Sequence, residues 1–492
     1  MLTATTDPAA PALDDGARRF RHGELAGAIA GDAGWLRRAG IGRAAVRAGN
    51  GCGWVIADRA LAAAGLPRVP LPPAFTDAQL RHALDDAGVD ALLTDEPALA
   101  GRLAAGFTAT GRLPAAGLGA WQRPRPATPP ALPPGTVKIT YTSGSTGTPK
   151  GVCLAEATLD AVVASVLAAT RDLELRRHLA LLPLATLLED VAGLGASLAA
   201  GGECLLAGAD RTGLGAGGVD IAQLTTLVTA TAPHSLILVP ELLQAFVLAA
   251  GAGWTPPTSL RFIAVGGARV SPALLARASG LGLPVYEGYG LSECGSVLCL
   301  NRPGAHRPGS VGQPLPHVRL RVDDRGEIHV AAPAFAGYLG GGAPAAEFAT
   351  GDLGRIDADG FVHVEGRARN LLITSLGRNV APEWVEGELL RQPAIAQACV
   401  AGDDRPYLTA VIVPRAQGAS IAADITAAVA SANAALPDYA QVRRHAVVAE
   451  PFTPANGLLT ANGRPRRDRI LARHGALIAA LYPAPAGAAA GT

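Results

Sequence analysis

Lysine is almost missing from this chain of 492 residues: two, at 138 and 150, stand against forty arginines. Aromatic residues make up 4% of the chain and charged residues 17%, with a net charge of +1. That balance leaves neither a basic face for nucleic acid nor a patch for an anionic membrane. The opening MLTATTDPAAPALDD lacks a basic segment followed by an apolar core, so no secretory signal is visible and a cytoplasmic location is expected. Apolar runs such as LALLPLATLL (179–188) are too short to cross a bilayer and stop at Glu189 and Asp190, which excludes an integral membrane segment there. The six cysteines, at 52, 153, 204, 294, 299 and 399, form no C-x-x-C and do not cluster with histidine. Zinc and a disulfide framework are therefore not expected, and the thiols read as reduced and mostly buried. The P-loop pattern G-x-x-x-x-G-K-[ST] is also absent: Lys150 follows Pro149 and precedes Gly151, with no hydroxyl after it to hold magnesium.

What is present is YTSGSTGTPKGV, 141–152. The preceding VKITY alternates, placing Val137, Ile139 and Tyr141 on one face of a half-buried strand and Lys138 on the other, where a solvated side chain is expected. Glycines 144, 147 and 151 permit tight turns, and successive N–H groups form a concavity for anions. Thr142, Ser143, Ser145, Thr146 and Thr148 add hydroxyls, and Lys150 adds a point charge that arginine's planar fork does not replace. Phosphate is the indicated ligand.

This segment resembles the phosphate-binding signature of the acyl-adenylate-forming enzymes, which include acyl-CoA synthetases, peptide-synthetase adenylation domains and luciferases. The resemblance continues in order through GYGLSE (288–293), TGDLG (350–354), GRARNLLITSLGRNVAPEWVE (366–386) and NGLLTANGRPRR (456–467). The wording of GDDRPYLTAVIVP and NGLLT is most similar to the long-chain acyl-CoA synthetases. The resemblance implies ATP-dependent activation of a carboxylic acid, expected to be a fatty acid, followed by transfer to a thiol. ATP, magnesium and coenzyme A are the implied cofactors, with a carrier-protein phosphopantetheine as the alternative acceptor.

By the same resemblance, Thr142, Ser143, Gly144, Ser145, Thr146, Gly147 and Lys150 would hold the β- and γ-phosphates. Gly267, Ala268, Gly288, Tyr289 and Gly290 would line the nucleotide and acid slots, with Tyr289 against adenine. Ser292 would meet the α-phosphate, and Glu293 would hold magnesium, a cation that prefers oxygen ligands. Asp352 would accept from the ribose hydroxyls and Arg367 would close over them. The acid slot would draw on PLATLLED (183–190), VGGARV (265–270) and EGYGLSE (287–293). No aspartate stands where amino-acid-activating relatives anchor an amine, which points to a plain carboxylic acid. The main departure is Arg464, where these enzymes carry a lysine that reaches the acid and the α-phosphate. Loss of one aimed donor costs roughly 100- to 1,000-fold in rate, so a degenerate nucleotide-binding accessory protein is a further alternative.

The length predicts more than one domain. Strands SLILV and LRFIAVGG alternate with helices, one opening at Pro240, and two hairpins turn at DDRG and DADG. The expected fold is α/β: a large AMP-binding domain of mixed layers with a small β unit, 1–368, then a small mobile C-terminal α+β domain, 369–482. Residues 483–492 read as a disordered tail. Arg369 falls where relatives place a hinge residue.

Overall fold

Short apolar runs bounded by glycine and proline build the two large sheets. A computed structural model describes residues 7–103, 106–126, 128–142, 149–215, 218–332, 335–342, 345–375, 378–416, 418, 421–460 and 463–482. Ser235–Leu238, Phe262–Val265 and Val285–Leu291 are parallel neighbours in a nine-stranded sheet. Such strands, covered on both faces, read as near-continuous apolar runs. Helix Pro240–Gly251 opens on proline at its first turn, where the missing N–H costs nothing.

A second sheet, of eight strands, contains Arg68–Pro70, Thr136–Thr142 and Lys150–Ala155. Residues of both sheets meet in one core, in which Val46 and Leu93 pack with Cys204 and Leu206. The two expected hairpins form a four-stranded sheet: Arg319–Val322 pairs with Glu327–Ala331, and Phe348–Ile356 pairs with Val362–Arg367. From Leu372 onward the chain has apolar clusters of its own, around the three strands Ile395–Ala401, Leu408–Pro414 and Val442–Val447. This is the expected α/β architecture, a large N-terminal part with a small β unit and a smaller C-terminal α+β part. All six cysteines are buried and unpaired. Among the described residues no helix is long and apolar enough to cross a membrane.

One expectation fails. Lys138 is not solvated; it is fully buried, because its strand is central and helices cover the face on which alternation placed the solvent. Its ammonium pairs with Asp190 and lies 3.1 Å from Asp58, over the ring of Trp54. Arg59 bridges Asp58 and Asp190, and buried Arg68 reaches Asp58 at 3.3 Å and Glu156 at 3.6 Å. Burial alone would raise the Asp58 carboxyl, but Lys138, Arg68 and Arg59 outweigh it and hold the group below its ordinary range. Three cations and three carboxylates thus join helix Cys52–Ala63, the loop-bearing strand, helix Glu156–Thr170 and the π-helix Leu188–Gly195.

Candidate active site

Thr142 and Lys150 are register partners at the ends of two antiparallel strands. The glycine-rich segment expected to bind phosphate therefore joins two antiparallel strands, not a strand and a helix. His82 fixes its end by a ring nitrogen 2.9 Å from the Pro149 carbonyl. Lys150 is exposed. Ser143, Gly144, Ser145, Thr146, Gly147 and Thr148 lie outside the described residues, as does the tail 483–492.

GYGLSE forms the end of one strand and a following 3₁₀ turn, Ser292–Cys294. Gly290 is required there: a Cβ would sit 1.6 Å from the Ser296 carbonyl oxygen of the returning strand. Gly267 follows the neighbouring strand with φ of 84°, a left-handed conformation that favours glycine, and Ala268 beside it is exposed. Tyr289 donates its hydroxyl to Asp352 at 2.6 Å. Burial and then the Asp352 charge push the Tyr289 phenol well above its ordinary range, so it remains a donor.

Asp352 and Arg367 are separated by fifteen residues, yet they face each other across the hairpin, Arg367 Nε 2.9 Å from Asp352 Oδ1. Glu293 accepts from the Tyr338 hydroxyl at 2.8 Å, and its second oxygen carries no hydrogen bond among the described residues. Tyr338 was not among the residues singled out from sequence; it comes from a strand distant in the chain that pairs beside the phosphate hairpin, and no local pattern marks it. Glu287, inside the quoted motif but assigned no role, is buried, and that burial lifts its carboxyl to about 8 against the pull of the Val270 N–H and Arg269.

The small C-terminal part contributes Arg464. The turn that carries it is closed by Thr460, whose N–H donates to the Arg464 carbonyl at 2.7 Å and whose hydroxyl accepts from the Arg464 N–H at 3.0 Å. Arg467, paired with Glu386 and donating to the Val400 carbonyl at 2.6 Å, ties the following helix to helix Pro382–Leu390. The Arg464 side chain keeps a water-facing surface while protein crowds around it. Its guanidinium makes no ion pair among the described residues. Burial and the like charge of Arg367 depress its basicity, opposed by Asp352, Glu293 and Tyr289. Lobe contact is close: a Cβ on Gly366 would lie 2.7 Å from that of Ala381. Arg369 is exposed in the 3₁₀ turn Ala368–Asn370 between the lobes. Tyr289, Asp352 and Arg367 are thus joined by direct contacts, Arg464 feels the charges of Asp352, Glu293 and Arg367, and Ser292 stands beside Glu293.

The AMP-binding enzyme family matches residues 2–339, and the AMP-binding enzyme C-terminal domain matches residues 369–485. The chain belongs to the AMP-binding enzyme family. As an AMP-binding enzyme it is 32% identical to a feruloyl-CoA synthase of an Amycolatopsis species over 86% of this chain and 89% of that one. It is 33% identical to the long-chain-fatty-acid–CoA ligase FadD15 of Mycobacterium bovis, over 44% of this chain and 41% of the relative's length; the match spans about two-fifths of that ligase. In fold this AMP-binding enzyme is similar to the anthranilate CoA ligase AuaEII in complex with anthranoyl-AMP, with a TM-score of 0.79, 21% identity, and coverage of 96% of this chain and 95% of that one. It is likewise similar to the O-succinylbenzoate CoA synthetase of Bacillus subtilis in complex with ATP and magnesium, with a TM-score of 0.75, 23% identity and coverage of 94% and 96%.

Proposed function

We propose that this AMP-binding enzyme activates a carboxylic acid with ATP to an acyl-adenylate and passes the acyl group to a thiol, that of coenzyme A, in the cytoplasm. The acid is one with an apolar body, as the fatty-acid resemblance implies. The observation that carries this reading is the Tyr289–Asp352–Arg367 hydrogen-bonded set of the large lobe, with Arg464 of the small lobe near enough to feel the charges of Asp352, Glu293 and Tyr289 and without an ion pair among the described residues.

In the reaction a carboxylate oxygen attacks the α-phosphorus and pyrophosphate leaves; the thiolate then attacks the acyl carbon and AMP leaves. Two anions must meet, so fixed donors and cations around the phosphates supply most of the acceleration. Lys150 and the loop residues Thr142 to Gly147 hold the β- and γ-phosphates. Asp352 accepts from the ribose hydroxyls while Tyr289 and Arg367 keep its carboxylate oriented, and the Tyr289 ring and the Gly288–Gly290 backbone offer adenine a flat wall. Gly267 and Ala268 leave room on the opposite strand end. Ser292 donates to the α-phosphate, and Arg464 stabilises the charge that develops there.

Magnesium fits the half-buried Glu293, an oxygen donor with one free lone-pair-bearing oxygen, and when bound it would neutralise phosphate charge. The domain division at 368/369 and a hinge at Arg369 belong to the same proposal: rotation there would withdraw Arg464 and open the site to the thiol. The test is acid-dependent exchange of labelled pyrophosphate into ATP, followed by coenzyme A thioester formation, with Lys150→Ala as control. Exchange without any thioester would reject coenzyme A as acceptor, and the absence of exchange with every acid would reject the activity.

A further inference from the structure

Behind the glycine strand lies a partly open cavity of about 70 Å³. Two of its walls belong to the candidate site. Leu300 and Val297 are the register partners of Gly288 and Gly290, and Ala264 precedes Val265–Gly267. A Cβ on Gly288 would crowd Leu300 at 3.2 Å, so the glycine leaves the cavity's near wall thin where a substrate would approach.

The far walls come from helix Glu156–Thr170 and the π-helix with its continuation, through Val166, Leu188, Ala192 and Ala196. Polar groups also line it, yet each is satisfied within the protein. Thr170 donates to the Val166 carbonyl at 2.8 Å and Ser197 to the Glu203 carbonyl at 3.2 Å. His178 holds Ser235 at 3.0 Å with one ring nitrogen and Glu189 at 2.7 Å with the other, and the second Glu189 oxygen accepts from the Leu182 N–H at 3.1 Å. Nothing there calls for water or for a polar ligand. The far end is also rigidly closed: a Cβ on Gly193 would strike Glu189 at 2.3 Å and His178 at 2.6 Å, so this polar pair and the π-helix lock each other in place.

Size then selects the ligand. A cavity of about 150 Å³ accepts benzene, and this one has less than half that volume. We infer that the cavity takes the distal end of the acid, and that the substrates are carboxylic acids with a compact aliphatic tail, short or branched-chain acids, with Ala192 and Ala196 as the size-determining positions. The inference rests on the acid-activating reading above and narrows it; it departs from a long fatty chain, for which the walls offer no continuation.

The experiment compares isovalerate, benzoate, octanoate and palmitate in pyrophosphate exchange with the full chain and with Ala196→Leu, and measures their binding in the presence of AMP by calorimetry. Exchange and binding favouring isovalerate over benzoate, octanoate and palmitate at least tenfold is expected. In Ala196→Leu the KM of the preferred acid should rise about tenfold while the KM for ATP stays within twofold. Benzoate or palmitate used as well as isovalerate, or an Ala196→Leu variant with every acid KM unchanged, overturns the inference while leaving the activity standing. If no acid supports exchange, the activity falls; calorimetry still decides, because size-independent or absent acid binding overturns the compact-acid assignment as well.

Discussion

Two charge clusters, carried on different sheets of this molecule, do opposite things. Around Lys138, three cations and three carboxylates pair with one another, with Lys138, Arg68, Asp58 and Asp190 buried and Glu156 reaching the surface. Around Asp352, arginines 367 and 464 approach from two lobes, and Arg464 has no ion pair among the described residues. Complete internal pairing makes a buried cluster a structural joint, since removing one member strands its partner's charge. Incomplete pairing leaves attraction to spare for a ligand's phosphates.

The comparison can be broken at its strongest point first. Lys138→Met should lower unfolding free energy by about 3–5 kcal/mol, the cost of stranding buried partners, as read by chemical denaturation; a loss under about 1 kcal/mol would mean the cluster is not a joint. Arg464→Ala should do the reverse, leaving the denaturation midpoint close to that of the parent while pyrophosphate exchange falls roughly 100- to 1,000-fold. A third test uses Glu287, at the edge between the two kinds of environment. The folded chain keeps its proton to about pH 8 while the unfolded carboxyl releases it near 4.5. Between those values the native state binds more protons, so its contribution to stability declines as pH rises. Glu287→Gln should remove that decline, gaining relative to the parent by a few kcal/mol at most from pH 5 to pH 8; parallel curves would place Glu287 in contact with water. The smallest change is expected from Arg464→Lys, which keeps the charge and shrinks the group to a point. Exchange should rise severalfold, and a fall would show that the cleft is shaped around the guanidinium.

Local patterns carried much of the fold. Pro240 opening a helix and the turns at DDRG and DADG were legible because each depends on neighbouring residues alone. Asp352 and Arg367 were singled out only by the resemblance, and the hairpin turning at DADG brings the two face to face. Lys138 was misplaced because alternation states which face a side chain takes and not whether that face is covered. Tyr338 was missed because the strand that delivers it to Glu293 is distant in the chain.

By itself, the sequence determined the family and the order of its motifs along the chain, since these depend on residue type and short spacing. Only the tertiary structure decided that one lysine of two is buried in a salt-bridge joint, that Arg464 comes near Asp352, and that the space behind Gly288 is small and apolar. Those outcomes depend on which distant elements pack together, and long-range packing sets burial, charge pairing and volume in ways that no local window contains.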